Sequence, residues 1–284
     1  MKKFLFTILA VVIMAGCVWA ADDVLRVGNL TKLNITPEEF QSWHTRANSE
    51  NLVQVFRKQT VPGERSFKFY DSLMTMLLAL NKGEIDEMGL PKDVADYVLK
   101  NTTSLEIRII LLWGFDLGLS FGFDNNEQGQ KLKTLFDTAL TALENSGRLA
   151  HLRELYITNP KGAPVPAQFE KFEGADTVKV AVTGDLPPID FIAENGVPAG
   201  FNTAVLAEVA KIAKVNIELV NIDSTARASA LKSGRVDMVF WFEKTEFEKQ
   251  ADIPEGIKQP DIPEGIILSE SYYTFNEYMN LKKK

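Results

Sequence analysis

The sequence predicts an α/β fold of two similar lobes, each with a mostly parallel sheet flanked by helices, and a ligand cleft between them. Three observations carry this expectation. ALNKGEIDEM begins at Ala79 and ALKSGRVDMV at Ala230, so Ala-Leu, Gly and an Asp after an aliphatic residue recur at the same offsets. The order strand, helix, strand, capped helix, strand surrounds each copy. A stretch holding Pro160, Pro164 and Pro166 and no hydrophobic period lies between the copies.

The first lobe is expected over 24–157. VLRVGNL reads as a strand, and ITPEEFQSW as a helix with Thr36 as N-cap and Pro37 at its first position. NLVQVF is a second strand. YDSLMTMLLALNKG is a helix in which Asp71 and Ser72 can cap free amides and Gly83 stops the run. EIDEMGL is a short strand, KDVADYVLKN a helix, and LEIRIILL and LGLSFGF two further strands. Leu132, Leu135, Phe136, Ala139, Leu140 and Leu143 then keep helical spacing, and Gly147 divides the closing segment into two helices.

Residues 158–176 read as a linker, and the second lobe is expected over 177–284. VKVAVT is a strand, NTAVLAEVAKIAK a helix with Asn202 as N-cap, and NIELVNI a strand. DSTARASALKSG is a helix starting at Asp223 and Ser224, and VDMVFWF is the strand after Gly234. DIPEGI then occurs twice within EKTEFEKQADIPEGIKQPDIPEGIILSESYY, where Pro followed by Glu and Gly favours tight turns.

MKKFLFTILAVVIMAGCVWAADD, with two lysines, an apolar run and small residues, has the layout of an export signal over 1–20. Val18-Trp19-Ala20 fits cleavage before Ala21, while Met14-Ala15-Gly16-Cys17 allows lipid attachment to Cys17, the one cysteine of the chain. The expected location is therefore periplasmic or otherwise extracytoplasmic. The net charge of −7 argues against nucleic acid as a partner, because phosphate binding needs a basic surface.

Catalytic and metal chemistry find little footing. His44 and His151 are isolated, no GxSxG or phosphate-binding loop is present, and neither a metal nor a cofactor is expected. In parallel α/β sheets ligands sit beyond the carboxyl ends of strands, so the helix starts at Asp71-Ser72 and Asp223-Ser224 are expected to face a cleft. Phe191 and Trp241 are candidates to stack on a ligand, and Asp185, Glu243 and Tyr70 to hydrogen-bond it. On a strand Trp241 and Phe242 face opposite ways, and Trp241 is the pocket candidate.

GDLPPIDFIAENGVPAGFNTAVLAEVA, with Pro187, Pro188, Phe191, Gly196, Gly200 and Phe201, resembles the opening of the bacterial extracellular solute-binding proteins of family 3, the amino-acid type of periplasmic binding protein. SALKSGRVDMVF and LSESYYTFNEYMNL resemble later elements of that opening half. The 24–157 block is similar to the family's closing half, so the halves stand in reverse order. The resemblance implies a monomeric, non-enzymatic protein that captures a small polar solute, an amino acid or a related compound, and delivers it to the permease of an ABC-type transporter. The family's ligand-clamping Arg has no counterpart in KTEFEK, which offers only Lys244 and Lys249, and Pro91 stands where the family's Asp holds the ligand amine. An exported dehydratase-like enzyme on the same scaffold, or a sensor with a vestigial cleft, remains an alternative reading.

Overall fold

The structure is a computed structural model that describes residues 24–31, 65–158, 166–193, 195–245 and 262–284. The export segment with Cys17, the helix expected at Thr36-Pro37, the strand expected at 51–56, Lys249 and the first DIPEGI lie outside the described residues.

The elements in chain order are β1 (Leu25–Leu30), β2 (Arg65–Tyr70), α1 (Leu73–Lys82), β3 (Glu87–Pro91), α2 (Lys92–Asn101), β4 (Leu105–Asp124), α3 (Glu127–Asn145) and α4 (Arg148–Arg153). After a π turn at Glu154–Thr158 come β5 (Thr177–Val182), β6 (Asp185–Leu186), β7 (Asp190–Ile192), β8 (Pro198–Ala199), α5 (Phe201–Ala213) and β9 (Asn216–Asn221). A 3₁₀ turn (Ser224–Ala226), α6 (Arg227–Lys232), β10 (Met238–Thr245), β11 (Ile266–Leu268) and β12 (Tyr273–Lys283) close the chain.

The same strand order is built twice. In one half β1 pairs in parallel with β2 and β3, β3 pairs antiparallel with β12, and β12 with the first part of β4. In the other, β5 pairs in parallel with β9 and β10, β10 pairs antiparallel with the second part of β4, and β4 with β11. β4 and β12 belong to both halves, so nine of the described strands join into one sheet, while β6, β7 and β8 form a separate antiparallel three-stranded sheet. LEIRIILL and LGLSFGF, expected as two strands, are therefore one. The backbone continues because its front part is paired by Glu277–Lys283 and its rear part by Thr245–Val239.

Elements of each chain half lie against the other. Phe136 of α3 meets Phe121 and Phe123 of β4 edge-on, with ring centroids 5.4 and 5.5 Å apart, and α3 packs on α5. Arg148 pairs with Glu208 of α5. The C-terminal strand β12 in turn pairs with β3.

The repeated decapeptides are the joints from α1 to β3 and from α6 to β10. Gly83 and Gly234 take left-handed backbone, φ 73° and 69°, which a Cβ would disfavour, and so end the helices. The repeated Asp has one job in both copies. The Asp86 amide donates to the Arg26 carbonyl while its carboxylate accepts from the Arg26 amide, both at 2.8 Å. Asp237 does the same with Lys179, again at 2.8 Å both ways. Each closes the edge where the third strand of its lobe enters beside the first. Asp237→Ala leaves the Lys179 amide without that acceptor. In urea unfolding it is expected to lower stability by about 0.5–1.5 kcal/mol, the usual worth of one such bond.

Two sequence expectations are corrected at helix starts. Gly200, not Asn202, is the N-cap of α5; Asn202 is buried inside the helix and accepts from the Tyr272 hydroxyl at 2.9 Å. Asp223 makes no side-chain cap and precedes a 3₁₀ turn, and α6 has six residues.

Candidate functional site

The carboxyl ends of β1 and β2 meet the segment that follows β9. Thr31, just past β1, donates its hydroxyl to the Asp71 carboxylate at 3.0 Å and to the Tyr70 carbonyl at 3.3 Å. Ser224, which opens the 3₁₀ turn after β9, reaches the Asp71 carbonyl at 3.5 Å. The two strand-end loops thus face one another across a cavity of about 170 Å³ lined by Thr31, Ser224, Thr225, Arg227, Ala228 and Trp241. Ligands of parallel α/β sheets are found at such strand ends.

Trp241 takes the pocket side of β10, while Phe242, its neighbour on the strand, joins the main core. The alternation of side chains along a strand separates the two. Trp241 also belongs to a small apolar cluster with Ala181, Ile222, Ala230 and Val239. The Arg227 guanidinium lies 5.2 Å from its ring centre. Arg227 is buried, donates from Nε to the Ser224 carbonyl at 3.0 Å and from Nη1 to the Phe240 carbonyl at 2.9 Å. It thereby ties the 3₁₀ turn to β10. Burial pushes its pKa down to about 10, opposed by the nearby Asp190 carboxylate. Asp190 is itself nearly buried on β7 and accepts from the Thr183 amide at 3.3 Å.

The other candidate residues are placed as follows. Tyr70 ends β2 half-buried beside Thr31; burial first, then the Glu84 charge, raises its pKa, so it stays a neutral phenol. Ser72 caps α1 by accepting from the Thr75 amide at 3.1 Å, which spends its hydroxyl on the helix. Asp185 and Phe191 are half-buried partners across the β6–β7 pair and are not among the cavity's lining residues. Glu243 pairs by its backbone with Gly118, and its side chain lies outside the described residues. Among the described residues no group of His, Cys, Asp and Glu is arranged to hold a metal.

Thr31, Thr225 and Arg227 escape a sequence reading. Arg227 leaves one trace: aligning the two decapeptides backwards puts it opposite Met76, a fully buried core residue. A charge in a core-facing position of one copy marks a buried polar feature that the other copy lacks.

Near the lobe crossing, the Tyr273 hydroxyl of β12 donates to Asp93 of α2 at 2.5 Å, and Arg153 lies 5.3 Å from the Tyr273 ring. Burial raises the Asp93 pKa above its usual value near 3.8, with Tyr273 opposing. A carboxyl whose folded pKa is raised adds stability that is complete below the unfolded value and is lost as pH rises through the folded value. Stability is therefore expected to gain from Asp93 as pH falls from neutrality towards about 4. In Asp93→Asn, which can still accept from Tyr273, that gain is expected to vanish from the thermal unfolding profile.

Residues 178–253 match the family model of bacterial extracellular solute-binding proteins, family 3. No curated protein matches the chain. Among solved structures, a zinc-bound ligand-binding component of an ABC-type import system from Staphylococcus aureus is 9% identical, with a TM-score of 0.43 over 92% of this chain and 66% of that one. The periplasmic aliphatic sulphonate binding protein of Escherichia coli is 12% identical, TM-score 0.41, over 92% and 61%. A substrate-binding protein of an amino acid ABC transporter is 11% identical, TM-score 0.37, over 92% and 85%. The chain thus spans less than two thirds of the length of the first two. The stretch that carries Pro187, Pro188, Phe191, Gly196, Gly200 and Phe201 lies within the matched segment, so residues 178–253 are similar to the bacterial extracellular solute-binding proteins, family 3.

Proposed function

We propose that this chain is an extracytoplasmic solute-binding protein that takes a small polar solute between its two lobes and passes it to a transporter of the ABC type. The observation that carries the reading is the approach of Asp71 and Ser224, from strand ends of different lobes, around one cavity. Lobe closure around a solute is the hinge motion such an arrangement allows, with β4 and β12 as the strands common to both halves. The family match supports binding as the task, and the pocket's few polar groups beside one indole suit recognition. Glu243 and Asp185, together with Phe191, remain proposed contributors from the second lobe.

The test is a thermal-shift screen of pooled metabolites on the protein beginning at Ala21. A true ligand at about 100 times its Kd is expected to add about 2.7 kcal/mol to unfolding. Mass analysis of each positive pool follows. A compound recovered intact supports binding, a compound converted points to an enzyme, and a screen with no shift overturns the reading.

A further inference from the structure

We infer that Tyr273 is a positioning residue whose hydroxyl, held on Asp93, ties the two lobes together on the face of the sheet away from the cavity. The tie goes beyond the solute-binding reading, because it acts on lobe closure with or without a solute. β4 and β12, the strands common to both lobes, break their ladder at the crossing. β4 runs from Leu112 to Leu117 where β12 runs only from Glu277 to Phe275. Such a break bends a strand pair and gives the lobes a place to turn. Tyr273 and Asp93 belong to opposite sides of it. Tyr273 pairs by its backbone with Leu119, whose other neighbour is Phe242 of β10. Its ring is fixed in that lobe. Phe275 meets it edge-on at 4.8 Å and Phe201 of α5 at 5.3 Å, while the Arg153 guanidinium lies 5.3 Å from the ring centre.

Phe275 in turn stacks on Phe242, so this cluster occupies the face of β10 opposite Trp241 and the cavity. Asp93 is anchored in the other lobe. It stands in the first turn of α2, directly after β3, and α2 buries Val94, Ala95 and Val98 while packing on β3 and β12. The Tyr273 hydroxyl reaches across and donates to Asp93 Oδ2 at 2.5 Å. Burial first, then the Asp93 charge, holds the phenol well above its ordinary pKa, so it stays a donor. The Ser224 contact with the Asp71 carbonyl joins the lobes on the cavity face, and Tyr273 braces the opposite face. A turn that opened the cleft would carry a ring fixed in one lobe away from a carboxylate fixed in the other. A larger closed fraction before a solute arrives raises the apparent affinity of any solute held by both lobes.

The test needs no solute. The protein beginning at Ala21 has no cysteine, because Cys17 is the one in the chain. Nitroxide labels on Asn81→Cys of α1 and Gln128→Cys of α3, both exposed positions, then report the distance between the lobes by pulsed electron paramagnetic resonance. With no other change, a single short distance is expected to dominate. Tyr273→Phe keeps the ring and loses the hydroxyl, and Asp93→Ala loses the acceptor. Each is expected to raise the ratio of open to closed protein by about threefold to tenfold, the factor that one hydrogen bond commands. Together they should do no more than either alone, since they remove the same bond. Asp93→Asn keeps an oxygen for Tyr273 and is expected to stay within about twofold of the original ratio. A purely local role would lower the unfolding temperature and leave the distances as they were. Circular dichroism checks each fold, and Asp93→Ala carries the test if Tyr273→Phe does not fold. Either variant, folded and with the original distances, overturns the inference, and so does an otherwise unaltered protein that is mostly open. These results leave the solute-binding reading standing. A metabolite screen with no shift overturns that reading and leaves the tie.

Discussion

Replacing Trp241 by alanine is expected to lower the unfolding free energy by about 3–5 kcal/mol and to abolish any thermal shift caused by solute. The indole is 7% exposed and fills the centre of a cluster formed by Ala181, Ile222, Ala230, Leu231, Val236, Val239 and Ile266. Those neighbours are small or branched and stand on β5, α6, β10 and β11, with Ile222 just past β9 and Val236 just before β10, so the hole left behind cannot close by one side chain turning. Arg227 would also lose the ring it lies against and face a void, where a buried guanidinium is poorly solvated. Trp241→Phe separates the two roles. It keeps an aromatic body in the cluster and removes the N–H donor, so it is expected to cost less stability than alanine while still weakening solute binding. Urea unfolding and the thermal-shift assay on both variants check this. A Trp241→Ala protein within about 1 kcal/mol of the original would show that the cluster is looser than its burial implies.

Trp241 also illustrates what the sequence makes legible. Period-two alternation alone separates it from Phe242, because a strand admits only two directions for side chains. Gly83, Gly147 and Gly234 are legible as stops for a similar reason: each takes a positive φ that other residues resist. The doubled lobe follows from the decapeptides, and its physical content is the pair of reciprocal Asp bonds to Arg26 and Lys179. What local pattern cannot supply is partnership across the chain. β4 looks broken because its two halves answer to different strands, β12 and β10, that lie far along the sequence. Asn202 looks like a cap because caps are local, whereas its actual partner is Tyr272. The cavity suffers most. Ser224 is legible from its place after a strand end, but Thr31 and Thr225 carry no motif, and they become part of a site only when β1 and β9 end at the same place.

The second large effect is expected at the far end of β3, away from the cavity. Glu87 opens that strand with 1% exposure, between Arg65 of β2 at 3.7 Å and Arg108 of β4 at 3.4 Å, and accepts from Asn280 of β12 at 2.7 Å. One carboxylate therefore serves three strands. Burial lowers the Arg65 pKa and the Glu87 charge opposes that fall, so Arg65 stays charged in the core with Glu87 as its counter-ion. Glu87→Ala strands that cation and the Asn280 amide together and is expected to cost about 3–5 kcal/mol, the usual penalty for breaking a buried pair from one side. The double replacement Arg65→Met with Glu87→Met removes the charge along with its partner and is expected to recover most of the loss. If the double variant is as unstable as Glu87→Ala, the carboxylate's value lies in the Asn280 bond and Arg108, not in matching Arg65. If Glu87→Ala alone is mild, Arg65 has found water or another acceptor. Chemical unfolding of the three proteins, read against the cycle's coupling energy, decides between these outcomes, and solute binding is expected to survive in any variant that folds because the pair lies at the opposite end of β3 from the strand ends that frame the cavity.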